Sequence, residues 1–448
     1  MKKTFITIFS LLLFVASGMA QEKNSWTLDE CITYALENNI SLKRQELATE
    51  LNKKDFEQSK LNALPNLNGQ IQHNMGSGRL LDEGTYEWVN TDLRQGNLGL
   101  ASSVTLFNGL TGYNTVRMMK ANYLASLENL ELYENNLLLQ VMTAYLDMLR
   151  KAELYEISIE KVKITQLQVE RMEMMMQVGN ASEGEVLEVK AQSSNEGYNM
   201  ILAKNQVEVA RLTLTQLLNL PAEESMDIIQ PVIPEPNVLQ MPDMDEVYQS
   251  ALGLLPQIKA AEYTIDYYDR NLAVSRGALT PEVFARAYYN SNYNNLLPNP
   301  RNINEDYPFD QQIVDNRYSQ LSVGITIPIF NKWQGRTGIS KAKINLQDAR
   351  YNLEYSKQQL FKEIQQYYTD AKASLENYNA ASEILANSEE AYRYADEKFK
   401  VGMATALELA EARNRLFASR SEMVSAKYVF VFYLKILDFY QGKEIEFR

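Results

Sequence analysis

The chain has 448 residues, 45% of them hydrophobic and 23% charged, with a formal net charge of −13. That acidity excludes nucleic acid as a partner, because a phosphate backbone needs a basic surface. The one cysteine, Cys31, excludes an internal disulfide, and no run of eighteen apolar residues is present to make a transmembrane helix.

Residues 1–20 read as an export leader, a cleaved signal peptide. Lys2 and Lys3 precede the apolar core Phe5 to Ala16, and the small-residue site Gly18-Met19-Ala20 precedes Gln21. Cys31 follows Thr27-Leu28-Asp29-Glu30, which lacks the small residue of a lipidation site, so the mature chain is read as not lipidated. A first repeat is predicted over 26–220. Thr27 and Glu30 have capping-box spacing, and a helical pattern runs from there to about Asn62. A β-hairpin follows over about 66–107. In its first strand Leu67, Gly69, Ile71, His73 and Met75 alternate with Asn66, Asn68, Gln70, Gln72 and Asn74. In its second, Leu98, Leu100, Ser102, Val104 and Leu106 alternate with Gly99, Ala101, Ser103 and Thr105. A long helix is predicted over about 112–177 and a shorter one over about 181–220.

Within the long helix, Leu138, Val141, Tyr145, Met148, Ala152, Tyr155, Ile159 and Val162 keep a three-four spacing, the seam of a coiled coil. Leu139, Met142, Leu146 and Leu149 form a second line beside it, so the helix has packing partners on two sides. At 1.5 Å per residue it is roughly 100 Å long, which suits a tube or a stalk. The connector 221–243 holds five of the twelve prolines. A second repeat, 244–448, then restates the plan: a short helix, a hairpin over about 283–330, a long helix over about 335–400 and a short one over about 404–440. Pro281 stands 216 positions after Pro65, whereas Tyr368 stands 223 after Tyr145 and Val401-Gly402 stands 223 after Val178-Gly179. The extra seven residues fall in the second hairpin's loop, 290–315, so both hairpin loops (about 75–95 and 290–315) are expected to face solvent.

Strands of about ten residues cross a bilayer when tilted. Their Leu/Ile/Val faces suit lipid and their Gly/Ser/Thr faces a lumen. Phe107, Phe330 and Trp333 sit at strand ends, where an aromatic girdle belongs. Four strands cannot close a barrel, and lipid does not tolerate open edges, so closure needs copies. Two chains give eight strands and a filled interior; three give twelve and room for a pore.

The chain resembles the TolC family of outer-membrane channels. The likeness rests on the Trp26-Thr27-Leu28-Asp29-Glu30 opening and on the junctions Leu106-Phe107-Asn108-Gly109 and Ile329-Phe330-Asn331, together with the doubled Val-Gly helix tips. It implies an α+β membrane protein of internally duplicated coiled-coil hairpins with four transmembrane strands per chain. In a homotrimer these close as a 12-stranded β-barrel in outer-membrane lipid, continued by an α-helical barrel in the periplasm. Implied partners are a periplasmic adaptor (membrane fusion) protein and an inner-membrane transporter, for efflux of small molecules or type I secretion of proteins. Glu408 and Glu411, with Glu185 and Glu188 as their first-repeat counterparts, fall where relatives carry the acidic pair of the pore constriction. Val178, Gly179 and Ser182, and likewise Val401, Gly402 and Thr405, fall where relatives meet the adaptor. Phe399 and Ala404 replace a tyrosine and an arginine of the best-known members, so their latch is not copied here.

Weaker signals have plainer readings. A glutamate pair at i and i+3 is ordinarily a solvated face. Met172, Met174, Met175 and Met176 suit gap-filling between helices better than Cu(I), and His73 alone makes no metal site. No cofactor and no metal is expected. No nucleophile elbow, P-loop or dinucleotide fingerprint is present, so the chain is not read as an enzyme. The residues by themselves also allow a soluble periplasmic coiled-coil scaffold or interaction protein.

Overall fold

The computed structural model describes residues 25–81, 86–221, 226–237, 241–302, 305–443 and 445; the leader at 1–20 lies outside them. In chain order the first elements are β1 (Ser25–Trp26), α1 (Leu28–Asn38), α2 (Ile40–Leu61), β2 (Asn68–Leu81), β3 (Trp88–Phe107), α3 (Thr111–Gln177) and α4 (Glu183–Leu218). There follow β4 (Asp227–Ile228), α5 (Met244–Leu254), α6 (Pro256–Gly277), β5 (Glu282–Asn294), α7 (Phe309–Asp315), β6 (Tyr318–Thr326), α8 (Gln334–Lys400) and α9 (Ala406–Tyr440). The chain divides into two units, one from Met1–Glu46, Leu130–Ile258 and Ser356–Arg448, the other from Leu47–Asn129 and Lys259–Tyr355.

The first unit is helical. Thr27 starts α1 by accepting the Glu30 N–H, while the Glu30 carboxylate accepts the Thr27 N–H at 3.0 Å. Each short helix expected ahead of a hairpin is in fact two helices. Asn39 breaks the first: its backbone is extended, and its side-chain oxygen accepts the N–H groups of Ser41 and Leu42, which starts α2. Leu255 breaks the second, because Pro256 disfavours a helical residue before it. Val141, Met142, Tyr145, Leu146, Met148 and Leu149 are buried, so both apolar lines of α3 find partners here. Beyond Arg150 the buried positions shift to Ile157, Thr165, Gln168, Val169 and Met172, while Ala152, Tyr155, Ile159 and Val162 are only half-buried. The Tyr145 hydroxyl donates to the Ile229 carbonyl at 2.6 Å, holding the small parallel ribbon of β1 and β4 against α3.

The second unit carries a four-stranded antiparallel sheet in the order β2-β3-β5-β6. The strands have 14, 20, 13 and 9 residues rather than a uniform ten. The first loop is accordingly short: Met75 pairs with Arg94 and Leu81 with Trp88, so most of 75–95 is strand and not loop. The register sets Ile71 beside Leu98, Leu98 beside Ser291, Leu100 beside Tyr289 and Val104 beside Ala285, with Leu321, Val323 and Ile325 following on β6. One face is therefore apolar. The other carries Gln70, Gln72, Asn97, Asn290, Asn292, Gln320 and Ser322. In the second hairpin's loop, α7 borders β5 beyond the start of β6. Gln312 Oε1 accepts the Asn294 N–H at 2.8 Å, and Asn316 Nδ2 donates to the Asn292 carbonyl at 2.8 Å.

Both strand-to-helix junctions of this unit use two successive left-handed residues, Gly109-Leu110 and Lys332-Trp333. At Gly109 (φ +63°) a Cβ would lie 1.9 Å from the Thr280 hydroxyl and 2.9 Å from the Gly277 carbonyl, so only glycine fits. β6 ends at Thr326, which leaves Phe330 and Trp333 beyond the strand. Among the described residues no helix is long and apolar enough to cross a membrane.

Candidate functional site at the helix tips

The two turns that join α3 to α4 and α8 to α9 are built alike. In the first, the Asn180 N–H donates to the Met175 carbonyl at 2.8 Å and the Gly179 N–H to that of Met176 at 3.0 Å. In the second, the Met403 N–H donates to the Lys398 carbonyl at 2.8 Å and the Gly402 N–H to that of Phe399 at 3.1 Å. With φ of +83° at Gly179 and +76° at Gly402, both helices end in a Schellman motif. A Cβ at either glycine would meet nothing within 4 Å, so only the left-handed backbone demands glycine there.

The next helix starts three residues later in each turn. The Ser182 N–H donates to Glu185 Oε2 at 2.7 Å, and the Glu185 N–H donates to the Ser182 hydroxyl at 3.3 Å. Thr405 and Glu408 repeat this at 2.7 Å and 3.2 Å. Two of the four expected constriction glutamates thus complete capping boxes. Backbone hydrogen bonding from the cap holds both carboxyls below the usual range. The signal was present in the sequence, as Ser182-x-x-Glu185 and Thr405-x-x-Glu408. Glu188 and Glu411 are exposed, and Glu411 lies 3.9 Å from Arg415.

Behind the turns Val169, Met172, Val186, Val189, Phe399 and Leu409 form one apolar cluster, with Met175, Ala404 and Ala406 against it. Phe399 is therefore core, and Ala404 supports it rather than offering charge. The methionine run divides: Met172 is buried, whereas Met174 and Met176 are exposed. Val178, Leu187, Val401, Met403 and Leu407 leave an apolar surface around the turns.

Sequence reasoning missed Arg413, which is only 1% exposed. Its Nη1 donates to Gln168 Oε1, and its Nε and Nη2 are buried without a protein acceptor. Lys161 and Glu196 pair nearby on α3 and α4 at 2.8 Å, with Glu196 also buried. No periodicity distinguishes such an arginine from a solvated one. The residues expected to form a girdle belong to the other unit: Phe107 closes β3, and the Arg336 guanidinium stands 4.4 Å from the Trp333 ring centre. A second aromatic group there also went unread. His73 bonds to the Tyr293 hydroxyl, and Tyr293 meets Phe309 edge-on at 4.8 Å. Among the described residues no group of three or more His, Cys, Asp or Glu is placed to hold a metal.

The chain belongs to the outer membrane efflux protein family, whose model matches residues 31–220 and 247–431. Among individual relatives, it is 23% identical over 406 residues to the outer membrane efflux protein BepC of Brucella suis biovar 1 (strain 1330), covering 90% of this chain and 82% of BepC. It is likewise 23% identical over 401 residues to the cation efflux system protein CusC of Escherichia coli O157:H7, covering 89% and 82%. A crystal structure of CusC superposes with a TM-score of 0.78 at 18% identity, over 93% of this chain and 92% of that one. The Campylobacter jejuni CmeC outer membrane channel also gives 0.78, at 17% identity over 96% and 92%. The family match places the chain among outer membrane efflux proteins, and the solved structures show that it shares their fold.

Proposed function

We propose that the chain is one subunit of a homotrimeric exit duct in the outer membrane, whose twelve strands close one barrel and whose helices reach into the periplasm. It would receive small molecules or proteins from an inner-membrane transporter through a periplasmic adaptor. One observation carries the reading. The sheet has an exposed apolar face, with Ile71 at 83%, Leu321 at 77% and Val323 at 65% exposure, and among the described residues its two outer strands, β2 and β6, each have one edge without a strand partner. Such a face is stable in lipid, and its edges are stable there only when paired with other copies. The chain is read as two repeats, 26–220 and 244–448, joined by 221–243.

The tips take the remaining roles. The exposed apolar residues around Gly179 and Gly402, with Val178, Ser182, Val401 and Thr405, offer the adaptor a surface. Glu188 and Glu411, neither of which caps a helix, line the constriction, with Glu185 and Glu408 adding charge from their caps. Phe107, Phe330 and Trp333 form the periplasmic-side girdle. Cysteine substitutions on β2 and β6, oxidised in cells, test the assembly: covalent dimers and trimers support it, and chains that stay monomeric at every pair tried contradict it.

A further inference from the structure

On the apolar sheet face, α7 and the sheet border an open groove of about 510 Å³, lined by Gly69, Ile71, Leu98, Leu100, Tyr289 and Ile313, with Ser291 and Arg317 beside them. That volume lies within the range of small-ligand sites. The groove has a structural cause. Ser291 is held beneath α7 by its hydroxyl, which donates to the Ile313 carbonyl at 2.7 Å. Gly69, opposite Leu100, adds no side chain to the floor. Small residues therefore lie between large apolar ones. The Phe309 ring on Tyr293 and the buried Gln312 fix α7 in place.

Charge at the rim has one sign. Arg317 Nε donates to the Val314 carbonyl at 2.7 Å, which anchors the guanidinium and leaves its two terminal nitrogens with no ion pair among the described residues. Asp315, the nearest acid in sequence on α7, is already engaged by Arg301 at 3.1 Å and by the Tyr307 hydroxyl at 3.2 Å. An apolar trough continuous with the lipid-facing band, ending at an anchored guanidinium, matches an acyl chain that carries a phosphate. We propose that this groove binds an anionic membrane phospholipid, its acyl chain between α7 and the sheet and its phosphate on Arg317. The proposal rests on the reading that the apolar sheet face meets lipid.

The test uses the full chain with Trp26, Trp88 and Trp333 changed to Phe, reconstituted in phosphatidylcholine vesicles containing phosphatidylglycerol. A single reporter, Tyr289→Trp or Ile313→Trp, reads quenching by brominated acyl chains. Bromine on phosphatidylglycerol should quench either reporter at least threefold more than bromine on phosphatidylcholine at equal mole fraction. Arg317→Gln should remove the difference and Arg317→Lys should retain part of it. Equal quenching by the two lipids in the chain with Arg317 intact overturns the proposal. A separate reporter, Val323→Trp on β6, tests the underlying reading. If neither lipid quenches it, the sheet face is not in lipid and the barrel reading itself fails.

Discussion

Lys332 stands where the first repeat has Gly109, and both are left-handed. A residue with a Cβ pays roughly 1–2 kcal/mol for that backbone, so Lys332→Gly should stabilise the chain by about 1 kcal/mol in guanidinium unfolding. Gly109→Val should destabilise it by more, since the side chain adds a clash with Thr280 and Gly277 to the same strain. At the tips, Ser182→Ala and Thr405→Ala should each cost about 1 kcal/mol by removing a cap. The two capping carboxylates give that region a pH dependence. Their folded-state values are lowered, so their contribution is complete above the ordinary glutamate range and is lost as pH falls through the lowered values. The melting difference between the parent and Glu408→Gln should therefore shrink as the pH is taken below that range. A difference that stays constant into acid would show that the Glu408 carboxylate does not hold the cap.

Whole elements were legible where one period ran unbroken. The 67-residue helix α3 and the alternating cores of β3 and β6 follow from spacing, and α8, of equal length, follows from the repeat at an offset of 223. The breaks at Asn39 and Leu255 were not legible, because one polar side chain or one proline overrode a helical pattern that continued on both sides. The outer half of the first hairpin was misread as loop. Its glycines and charges look like turn chemistry, yet Gly76, Gly78 and Arg79 are paired along β2. Arg413 could not be read either, since its burial on α9 is decided by neighbours on other helices, Gln168 on α3 and Glu196 on α4. Replacing a buried charge with an apolar residue of similar volume is often neutral or stabilising, whereas truncation leaves a cavity. Arg413→Met should therefore change stability little or raise it by about 1–2 kcal/mol, and Arg413→Ala should lower it by about 2–4 kcal/mol. Thermal melts of the purified variants check the order; two equal losses would mean that the guanidinium itself is required. At the turns, Gly402→Ile strains the backbone without a steric clash, so the protein should reach the membrane intact while transport falls.

In the proposed assembly a sheet whose edges need partners belongs to the same chain as tips that present acid and apolar surface together. In the proposed trimer, three copies would bring Glu188 and Glu411, with the capping glutamates, around one axis, an arrangement that favours cations. Changing Glu188 and Glu411 to Gln keeps good helix formers and leaves both caps intact, so the reversal potential in a salt gradient should move towards zero. An unchanged cation preference would place these residues away from the pore. Which helical faces meet a neighbouring copy could not be read from spacing, because Tyr155, Ile159 and Val162 fit the same seam as the buried Val141 and Tyr145 yet remain half-buried in a single chain. In the proposed assembly the barrel closes only when three chains meet in a membrane. The most direct test is the native mass of the particle extracted by detergent from the outer-membrane fraction. The expected particle has three times the mass of one chain and falls to one chain on boiling; recovery of a single-chain particle from the soluble periplasmic fraction without detergent would rule the trimeric barrel out.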